Sequence, residues 1–374
     1  MPEVKSLVDE GLPEFQLCGF CRDRQGAGNP QIALADDQGD CFVCKGMSGD
    51  LEAVTKKILA GLAKFDYRTF SVGLVLPPGV QEREDTLRSE LKIRGGETIK
   101  SEVARRLGKA VVKGARGKKV DKMHPDASVL ADMGEGRVEV TSKPLFLYAR
   151  YTKPRGVAQR VLFCEECNGR GCKKCGGTGQ SKAPSVEGLL SSRLGAVVGS
   201  KKFKFTWFGS EDPDSLVFPP GRPIVIESKN PRRRHVPKAL RLRTRKGGIA
   251  VSGIRPVGKK FEHPTFTFKT RASIRADRKV SDEDTRRLQK EMRNAMVRYR
   301  NNKGRLVDKK IYFVRASAKG KKMTADIKLD GGLPVKRLVS GEAVSPSFSE
   351  ALGTPLRCER FDILRVWPKT ESGE

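Results

Sequence analysis

The sequence contains few histidines and few aromatic residues, and it has no long hydrophobic run. The three histidines, His124, His235 and His263, share no metal-ligand spacing, which argues against a histidine-based metal site and against histidine acid–base catalysis. Aromatic residues make up 6% of the chain, so we expect modest hydrophobic cores. No apolar segment approaches about 20 residues, the length that a membrane-spanning helix needs. Residues 1–5 lack the apolar core of a secretion signal.

Two common nucleotide-binding signatures are also missing. The chain has neither a Walker loop nor a GxGxxG motif that precedes a helix. Three scattered histidines also give no basis for a Ser-His-Asp arrangement. If the protein is an enzyme, carboxylates are the remaining candidate catalytic groups.

Basic residues are abundant throughout the chain. Lys and Arg number 74 against 44 Asp and Glu, which gives a net charge of +30 and a pI of about 10.0. A surplus of this size favours a polyanionic partner, with RNA or DNA preferred over a membrane. A general basic bias of the source proteome is the alternative. The chain has 374 residues, which predicts two or three domains. We expect the protein to be cytoplasmic. The sequence leaves the oligomeric state open.

Eight of the nine cysteines form CxxC pairs, and Cys358 stands alone. The first two pairs are Cys18/Cys21 and Cys41/Cys44, whose spacing is typical of a zinc ribbon. Four thiolates leave no open coordination position for water. We therefore predict a structural zinc site rather than a catalytic one.

The second cysteine cluster is tighter than the first. Only four residues separate the pair Cys164/Cys167 from the pair Cys172/Cys175. Neighbouring glycines allow the chain to fold back sharply, so one zinc can be held here as well. The alternative is half of a chaperone-like zinc finger, but the CxxCxGxG repeat is not extended. We predict a second structural zinc knuckle.

The first half of the chain has the pattern of a small α/β domain. Apolar residues recur at helical spacing after Asp50, and residues 69–76 alternate as in a strand. A helical stretch follows over 86–107, with an interruption at Gly95-Gly96, and short strands are expected between 129 and 148. This order predicts an RNA-binding domain.

The second half is predicted to be α+β. Ser185 is placed to cap a helix that ends near Val198, and Ser281 with Asp284 resembles a capping box for a helix to about Arg300. Strands are expected around 311–317 and 323–329 and in the C-terminal segment that ends near Trp367.

An acidic turn lies between two predicted strands of this basic chain. It contains Glu211, Asp212 and Asp214, and an Arg-rich segment at 232–234 follows the second strand. An aspartate needs no cofactor to act as a nucleophile or a base. The alternative is ordinary turn chemistry, since Asp-Pro is common in turns. The arginines can clamp phosphates, or they can belong to a solvated loop.

Read together, these segments resemble the archaeal and eukaryotic tRNA pseudouridine synthases that modify uridines 54 and 55 of the TΨC arm. The segments that carry the resemblance are KPLFLYARY (143–151), SVE (185–187), GSEDPD (209–214), GRP (221–223) with Glu227, NPRR (230–233), GGL (331–333), VK (335–336), SG (340–341) and SFSEALG (347–353). They occur in the family's order and span most of the chain.

The resemblance implies an α+β protein that acts on the TΨC arm of tRNA. It also implies three domains: a zinc module over 1–50, a THUMP-type RNA-binding domain over 51–182 that includes the 164–175 knuckle, and a synthase domain over 183–374. The last would contain a mixed or antiparallel sheet flanked by helices. The resemblance also implies that Asp212 is the nucleophile, with structural zinc and no organic cofactor.

Several positions depart from the family pattern. Ser210 stands where the family has Arg, Thr270 stands in place of the catalytic Tyr, and Pro334 replaces a Tyr. Phe266 or Phe268 is the expected substitute for stacking against the base. The residues expected to bind substrate are Thr270, Arg271, Leu333, Lys336 and Arg222.

These departures keep a second hypothesis open, a catalytically weakened or inactive tRNA-binding protein or chaperone that retains the synthase fold. A third hypothesis, a zinc-ribbon adaptor, does not account for the acidic turn or the GGL segment.

Overall fold

The computed structural model describes residues 15–25, 28–258, 265–301 and 304–369, and its contacts divide the chain into two units. The first unit is Met1–Lys143 with Asn230–Arg233, and the second is Pro144–Lys229 with Arg234–Glu374. This division differs from the predicted boundary between residues 182 and 183, because the strand at 145–153 pairs with strands of the second unit. His263 lies outside the described residues. Within the described part, no helix is both long enough and apolar enough to cross a membrane.

The first unit contains two sheets and four α-helices in its described residues. Its elements are β1 (Phe15–Leu17), α1 (Gly19–Gln25), β2 (Ile32–Leu34), α2 (Leu51–Leu62), β3 (Thr69–Val75), α3 (Val80–Glu90), α4 (Ile99–Gly114), β4 (Lys119–Val120), β5 (Ala127–Asp132) and β6 (Arg137–Ser142). The larger sheet has the order β4-β3-β5-β6, with β3 and β5 parallel. The predicted helix–strand–helix–strand order of the α/β domain is confirmed.

Helix boundaries in the first unit follow local sequence signals. Gly95 and Gly96 both have positive φ, so the helical stretch predicted over 86–107 is interrupted there and forms α3 and α4. The Thr98 side chain accepts a hydrogen bond from the Ser101 N–H and caps α4. The buried cysteines of the first cluster share one hydrophobic core with α2, α4 and β3.

The second unit is built on a sheet of eleven strands. Its elements are β7 (Leu145–Lys153), α5 (Val186–Val198), β8 (Lys202–Trp207), β9 (Val217–Lys229), β10 (Ala239–Thr244), β11 (Gly247–Pro256), β12 (Phe266–Ala276), α6 (Asp282–Glu291), β13 (Met296–Arg300), β14 (Leu306–Lys319), β15 (Lys322–Asp330), α7 (Val335–Ser340), β16 (Val344–Ser345), α8 (Phe348–Leu352) and β17 (Leu356–Pro368). The strand order is β10-β11-β7-β9-β17-β12-β15-β14-β13-β16, and β8 pairs with β9. The predicted α+β class is confirmed.

Two predicted helix starts in the second unit are confirmed, and one predicted helix end is wrong. Ser185 caps α5, and Ser281 with Asp284 forms a capping box at α6. However, α6 ends at Glu291 rather than near Arg300. Asn294 adopts φ 58, which breaks the helix, and the alternating burial over 296–300 belongs to strand β13.

Strand alternation gives the sheet two different faces. In β12 and β15 the buried side chains, such as Phe268 and Ile327, lie on one face together with the core. We call this the inner face. The intervening side chains, such as Lys269 and Lys328, are half-buried or exposed and lie opposite each other in register on the other face, which we call the outer face.

Candidate active site at the acidic turn

A cavity of about 540 Å³ opens at the acidic turn between β8 and β9. It is lined by Gly209, Ser210, Asp212, Arg222, Phe266, Phe268, Tyr299, Asn301, Gly332, Leu333, Pro334, Val335, Lys336, Arg337 and Phe361. The cavity therefore brings together four of the residues predicted as site residues, Asp212, Arg222, Leu333 and Lys336. It does not include Thr270 or Arg271.

Asp212 faces the cavity and has a lysine as its partner. The Lys336 Nζ lies 2.7 Å from the Asp212 Oδ2, and the two side chains are 51% and 38% exposed. Lys336 belongs to the first turn of α7, which follows the GGL segment. Asp212 thus has a cation beside it although Ser210 stands where the resemblance expects arginine. The carboxylate remains accessible from the cavity.

The neighbouring carboxylate, Glu211, is buried and fully engaged. Tyr151 donates its hydroxyl to the Glu211 Oε1 at 2.6 Å, and Gln159 donates to the Oε2 at 3.1 Å. The Arg222 guanidinium forms an ion pair with the same oxygen, and both side chains are almost completely buried. Burial, reinforced by the charge of Glu211, holds the pKa of Tyr151 well above its usual range. Glu211 therefore anchors the turn, and both of its oxygens are engaged by Tyr151, Gln159 and Arg222.

A buried lysine holds the backbone of the turn. Lys153, at the end of β7, donates from its Nζ to the carbonyl oxygens of Asp212 at 3.1 Å, Pro213 at 3.0 Å and Ser215 at 2.6 Å. Burial lowers the pKa of Lys153 to about 8, and the nearby carboxylates, Glu211 first, oppose this shift. An ammonium group has three hydrogens, so the charged form can serve all three carbonyls.

Arg222 supports the turn from below instead of offering its charge to the cavity. Its Nε donates to the carbonyl of Phe208 at 2.8 Å, and its Nη1 donates to the carbonyl of Ser210 at 3.2 Å. Gly209 packs directly against it. Gly209 has φ 86, and a Cβ at this position would lie 2.3 Å from the Arg222 Nη2 and 2.9 Å from the Phe266 ring. Glycine is therefore required at the start of the acidic turn.

Apolar side chains form the walls of the cavity. Phe266 and Phe268 are on the inner face of β12, with ring centroids 6.0 Å apart, and Leu333 is buried beside them. Tyr299 donates its hydroxyl to the Gly332 carbonyl at 2.7 Å, which leaves its ring as part of the wall. Such surfaces can stack against a planar base.

Two residues predicted to contact substrate lie elsewhere. Thr270 is fully buried and donates its hydroxyl to the carbonyl of Asp362 in the neighbouring strand β17 at 2.7 Å. Arg271 points to the outer face and pairs with Asp326 at 2.6 Å. Phe266 and Phe268 lie on the same inner face of β12 as Thr270 and line the cavity, and Phe268 is two residues from Thr270.

Sequence reasoning did not identify Lys153, Gln159 and Tyr299 as parts of the site. For Lys153, the available signal was its position, which continues the alternation of an apolar strand at 145–151, whereas Gln159 lies in the loop beyond this strand and has no such signal. Polar residues at inward positions of a strand need buried partners, and here the acidic turn supplies them. Tyr299 was assigned to a helix, so its position beside the GGL segment was not foreseen.

Both cysteine clusters have geometry suited to a metal ion. Within each cluster, the four sulfur atoms lie within 4.8 Å of one another. The Cys18–Cys44, Cys164–Cys172 and Cys167–Cys175 sulfur pairs are 3.6, 3.8 and 3.9 Å apart. Sulfurs at about 2.3 Å from a tetrahedral zinc lie about 3.8 Å from each other. The residues therefore fit a four-thiolate metal site, with no position left for a catalytic water.

The second cluster also has the hydrogen bonds expected around thiolates. The backbone N–H groups of Gly171 and Gly179 donate to the sulfurs of Cys167 and Cys175, both at 3.2 Å. Gly179 has φ 68, and a Cβ there would lie 2.2 Å from the Gly169 carbonyl oxygen. The glycines let the chain close tightly around the four sulfurs, so that backbone N–H groups can donate to them.

The basic segment after β9 is held in the first unit by one side chain and two backbone carbonyls. Asn230 accepts a hydrogen bond on its side chain from the Ser142 N–H at 2.8 Å, and Pro231 accepts one from the Ser142 hydroxyl at 2.6 Å. The Arg232 carbonyl accepts a third from the Asp66 N–H at 2.7 Å. The segment is thus anchored and not a free loop, while its phosphate-clamp role stays a prediction.

Comparisons with known proteins agree over both units. The family model described as "Pus10 THUMP domain, archaeal" matches residues 54–132, and "Pus10, C-terminal" matches residues 146–366. A protein of Cenarchaeum symbiosum (strain A) named "tRNA pseudouridine synthase Pus10" is 34% identical, over 88% of this chain and 82% of its own length. One of the same name from Nitrosopumilus maritimus (strain SCM1) is 31% identical, over 96% and 97%. The solved structure titled "Crystal Structure of a Cbf5-Nop10-Gar1 Complex" is 14% identical over 47% of this chain and 44% of its own, with a TM-score of 0.30, too low to bear on the fold.

Proposed function

Since the chain belongs to the Pus10 family of tRNA pseudouridine synthases, we propose that it converts uridine 54, uridine 55 or both in the TΨC loop of tRNA into pseudouridine, with Asp212 as the nucleophile. The single observation that carries the assignment of Asp212 is its position. It is the one carboxylate among the residues that line the described cavity, and it is paired with Lys336. We propose the cytoplasm as the place where the enzyme meets its tRNA.

The reaction is an isomerisation, so its atoms balance without a cofactor. The bond between C1′ of the ribose and N1 of the base breaks, and a bond between C1′ and C5 forms. The hydrogen leaves C5, and N1 gains one. A nucleophilic carboxylate held by Lys336 and by the Lys153 contacts to the turn can act on the nucleotide while the free base rotates.

The cavity walls suit a base that has left its stack. Flipping a nucleotide out of a folded RNA costs about a few kcal/mol, which stacking and polar contacts in the pocket must offset. Phe266 and Phe268 offer aromatic rings, and Leu333 closes the apolar wall. We assign the stacking role to Phe268, because it lines the cavity, whereas Thr270 on the same face of β12 is fully buried and does not line it.

The first unit and the cysteine clusters complete the proposal. The THUMP domain in the first unit would bind tRNA, as its basic character favours. Each cysteine cluster would hold one zinc ion with a structural role. Two zinc ions per chain are expected from atomic absorption on protein purified without chelators. A count near zero would contradict both assignments.

The nucleophile can be tested with an unmodified tRNA transcript. Pseudouridine in the TΨC loop is detected by carbodiimide modification followed by primer-extension stops. Wild-type protein should give product at position 54 or 55, and Asp212→Asn should give none. Asp214→Asn is the matched control, because it makes the same change two residues away at an exposed position of the same turn. Turnover that survives in Asp212→Asn would exclude the assignment.

One alternative rests on a specific observation. Ser210 lines the cavity where the family resemblance expects arginine, so a tRNA-binding protein with little activity is the second candidate. The same assay distinguishes the two, provided that tRNA binding is measured in parallel. Binding without product in the wild-type protein would favour the second candidate.

A further inference from the structure

The outer face of the sheet in the second unit carries aromatic and basic side chains together. It is formed by four adjacent strands in the order β17-β12-β15-β14. Its aromatic residues are Tyr312, Phe313 and Trp367, each half-buried. Its basic residues are Lys269, Arg271, Lys310, Arg315, Lys328, Arg365 and Lys369. This face points away from the catalytic cavity, which opens on the inner face.

Register places these residues close together. Lys328 of β15 lies directly opposite Lys269 of β12 and Phe313 of β14. Lys269 in turn lies opposite Arg365 of β17. One row across the sheet therefore contains three cations and an aromatic ring, although like charges in register repel one another. A surface of this kind is more stable with an anion bound to it.

The cations lie over the aromatic rings. The Lys328 Nζ is 5.4 Å from the Tyr312 ring centroid and 5.0 Å from that of Trp367. Arg365 lies 5.3 Å from the Trp367 ring, and Arg315 lies 5.6 Å from the Phe313 ring. These contacts hold the charged groups beside flat apolar surfaces at the solvent boundary.

Few carboxylates neutralise this face. Asp326 pairs with Lys269 and Arg271, and Asp330 pairs with Lys369. Among the described residues, Lys310, Arg315, Lys328 and Arg365 form no ion pair. These four cations, all at aromatic rings, define what we call the outer basic patch, together with Tyr312, Phe313 and Trp367.

We propose that the outer basic patch binds a single-stranded segment of RNA. Proteins that bind single strands combine cations, which contact phosphates, with aromatic rings on which bases stack. Aromatic side chains on the open face of a four-stranded sheet are a recurrent form of such a site. Duplex RNA buries its bases and offers only its phosphates and grooves, so it would leave the aromatic rings of the patch unused.

This proposal goes beyond the assignment of the reaction. The patch and the cavity lie on opposite faces, so a bound strand at the patch does not occupy the catalytic site. Binding at the patch can be measured in an Asp212→Asn background, in which no product forms. Failure of one proposal therefore does not affect the test of the other.

Tryptophan fluorescence gives a local readout. The chain has two tryptophans, and Trp207 is buried in the core while Trp367 is in the patch. In a Trp207→Phe variant of the full-length protein, Trp367 is the sole tryptophan and reports on base stacking. Titration with a fluorescently labelled oligouridylate of about 12 nucleotides should give saturable quenching, while the anisotropy of the label reports total RNA binding.

Charge variants test whether the patch itself binds the strand. In the Trp207→Phe background, Lys328→Gln with Arg365→Gln should raise the RNA concentration for half-maximal quenching about tenfold. Arg286→Gln with Lys290→Gln removes the same charge from exposed positions of α6 and should leave that concentration unchanged. Circular dichroism confirms that each variant is folded.

Three outcomes would overturn the proposal. One is an absence of Trp367 quenching when the anisotropy shows that the RNA is fully bound. Another is equal quenching by a blunt duplex of the same length, which would exclude selectivity for single strands. The last is an equal rise of the RNA concentration for half-maximal quenching in the α6 control variant. This would show that the change in net charge alone explains the effect.

Discussion

The two sides of the acidic turn contain the same chemical group in opposite surroundings. On the buried side, Glu211 accepts hydrogen bonds from Tyr151 and Gln159 while Arg222 neutralises it. On the cavity side, Asp212 is 38% exposed and has one cation, Lys336, at 2.7 Å. Adjacent carboxylates thus differ in environment and not in chemical type, and the proposed function rests on this difference: the accessible Asp212 is the proposed nucleophile and the buried Glu211 holds the turn.

The acidic turn is held by contacts to Glu211 and to its backbone. The buried carboxylate fixes the turn from within, and the Lys153 contacts fix its backbone, so the turn positions Asp212 while Lys336 contacts its carboxylate. Asp212 is therefore free to contact a substrate. Preorganisation of this kind places a reactive group before the substrate arrives.

The largest expected effect separates the two carboxylates by activity and stability. Asp212→Asn should lower kcat by roughly a thousandfold or more, because the nucleophile is lost, and should leave the melting temperature nearly unchanged. Glu211→Gln should instead lower the free energy of unfolding by about 3 kcal/mol, because Arg222 would be left buried without its partner. Single-turnover kinetics and urea denaturation measure the two quantities. Equal loss of stability in both variants would remove the distinction between anchor and reagent.

A smaller effect is expected at the cation beside Asp212. Lys336→Met should lower kcat by about tenfold to a hundredfold, because the carboxylate loses the charge that orients it. Lys336→Arg keeps the charge and should restore most of the activity. If both variants behave alike, the role of Lys336 is steric, and the ion pair with Asp212 is not needed for turnover.

The smallest expected effect is a pH dependence that arises from Lys153. Its pKa is lowered from 10.5 to about 8, so the folded protein binds fewer protons than the unfolded chain between these values. The contribution of this group to folding stability therefore increases as pH rises through that window. The neutral amine, however, has only two hydrogens for three carbonyls.

We accordingly expect kcat to fall severalfold above pH 8 while the protein remains folded. A Lys153→Met variant should have a lower kcat, and its kcat should not fall further above pH 8. Stopped-flow kinetics over pH 7–10, with denaturation curves at the same pH values, test this prediction. If kcat still falls above pH 8 in Lys153→Met, another group causes the pH dependence and the assignment to Lys153 is wrong.

Sequence reasoning succeeded where a local signal fixes the structure. The capping box at Ser281, the cap at Ser185 and the break at Gly95-Gly96 all appear as predicted, because caps and glycine turns depend on a few consecutive residues. The two four-cysteine sets were also recognisable, since each consists of closely spaced pairs. Lys336 was identified through the family resemblance, although its contact with Asp212 was not.

Other expectations failed because distant strands decide them. The helix predicted to reach Arg300 ends at Glu291, where pairing of β13 with β14 overrides helical periodicity. Thr270 was expected to bind substrate, but it is fully buried, does not line the cavity and donates its hydroxyl to the neighbouring strand β17. Neither strand partner is visible in the neighbouring sequence.

By itself, the sequence determined the basic character of this protein, its two cysteine clusters, its α+β class and its family, because composition, spacing and motif order are properties of the chain. Only the tertiary structure decided that Glu211 is buried and that Lys336 contacts Asp212. It also placed three aromatic rings and four cations on one face of the sheet. The reason is physical: strand register and burial bring together residues more than a hundred positions apart, and these contacts set the charge and accessibility of each side chain.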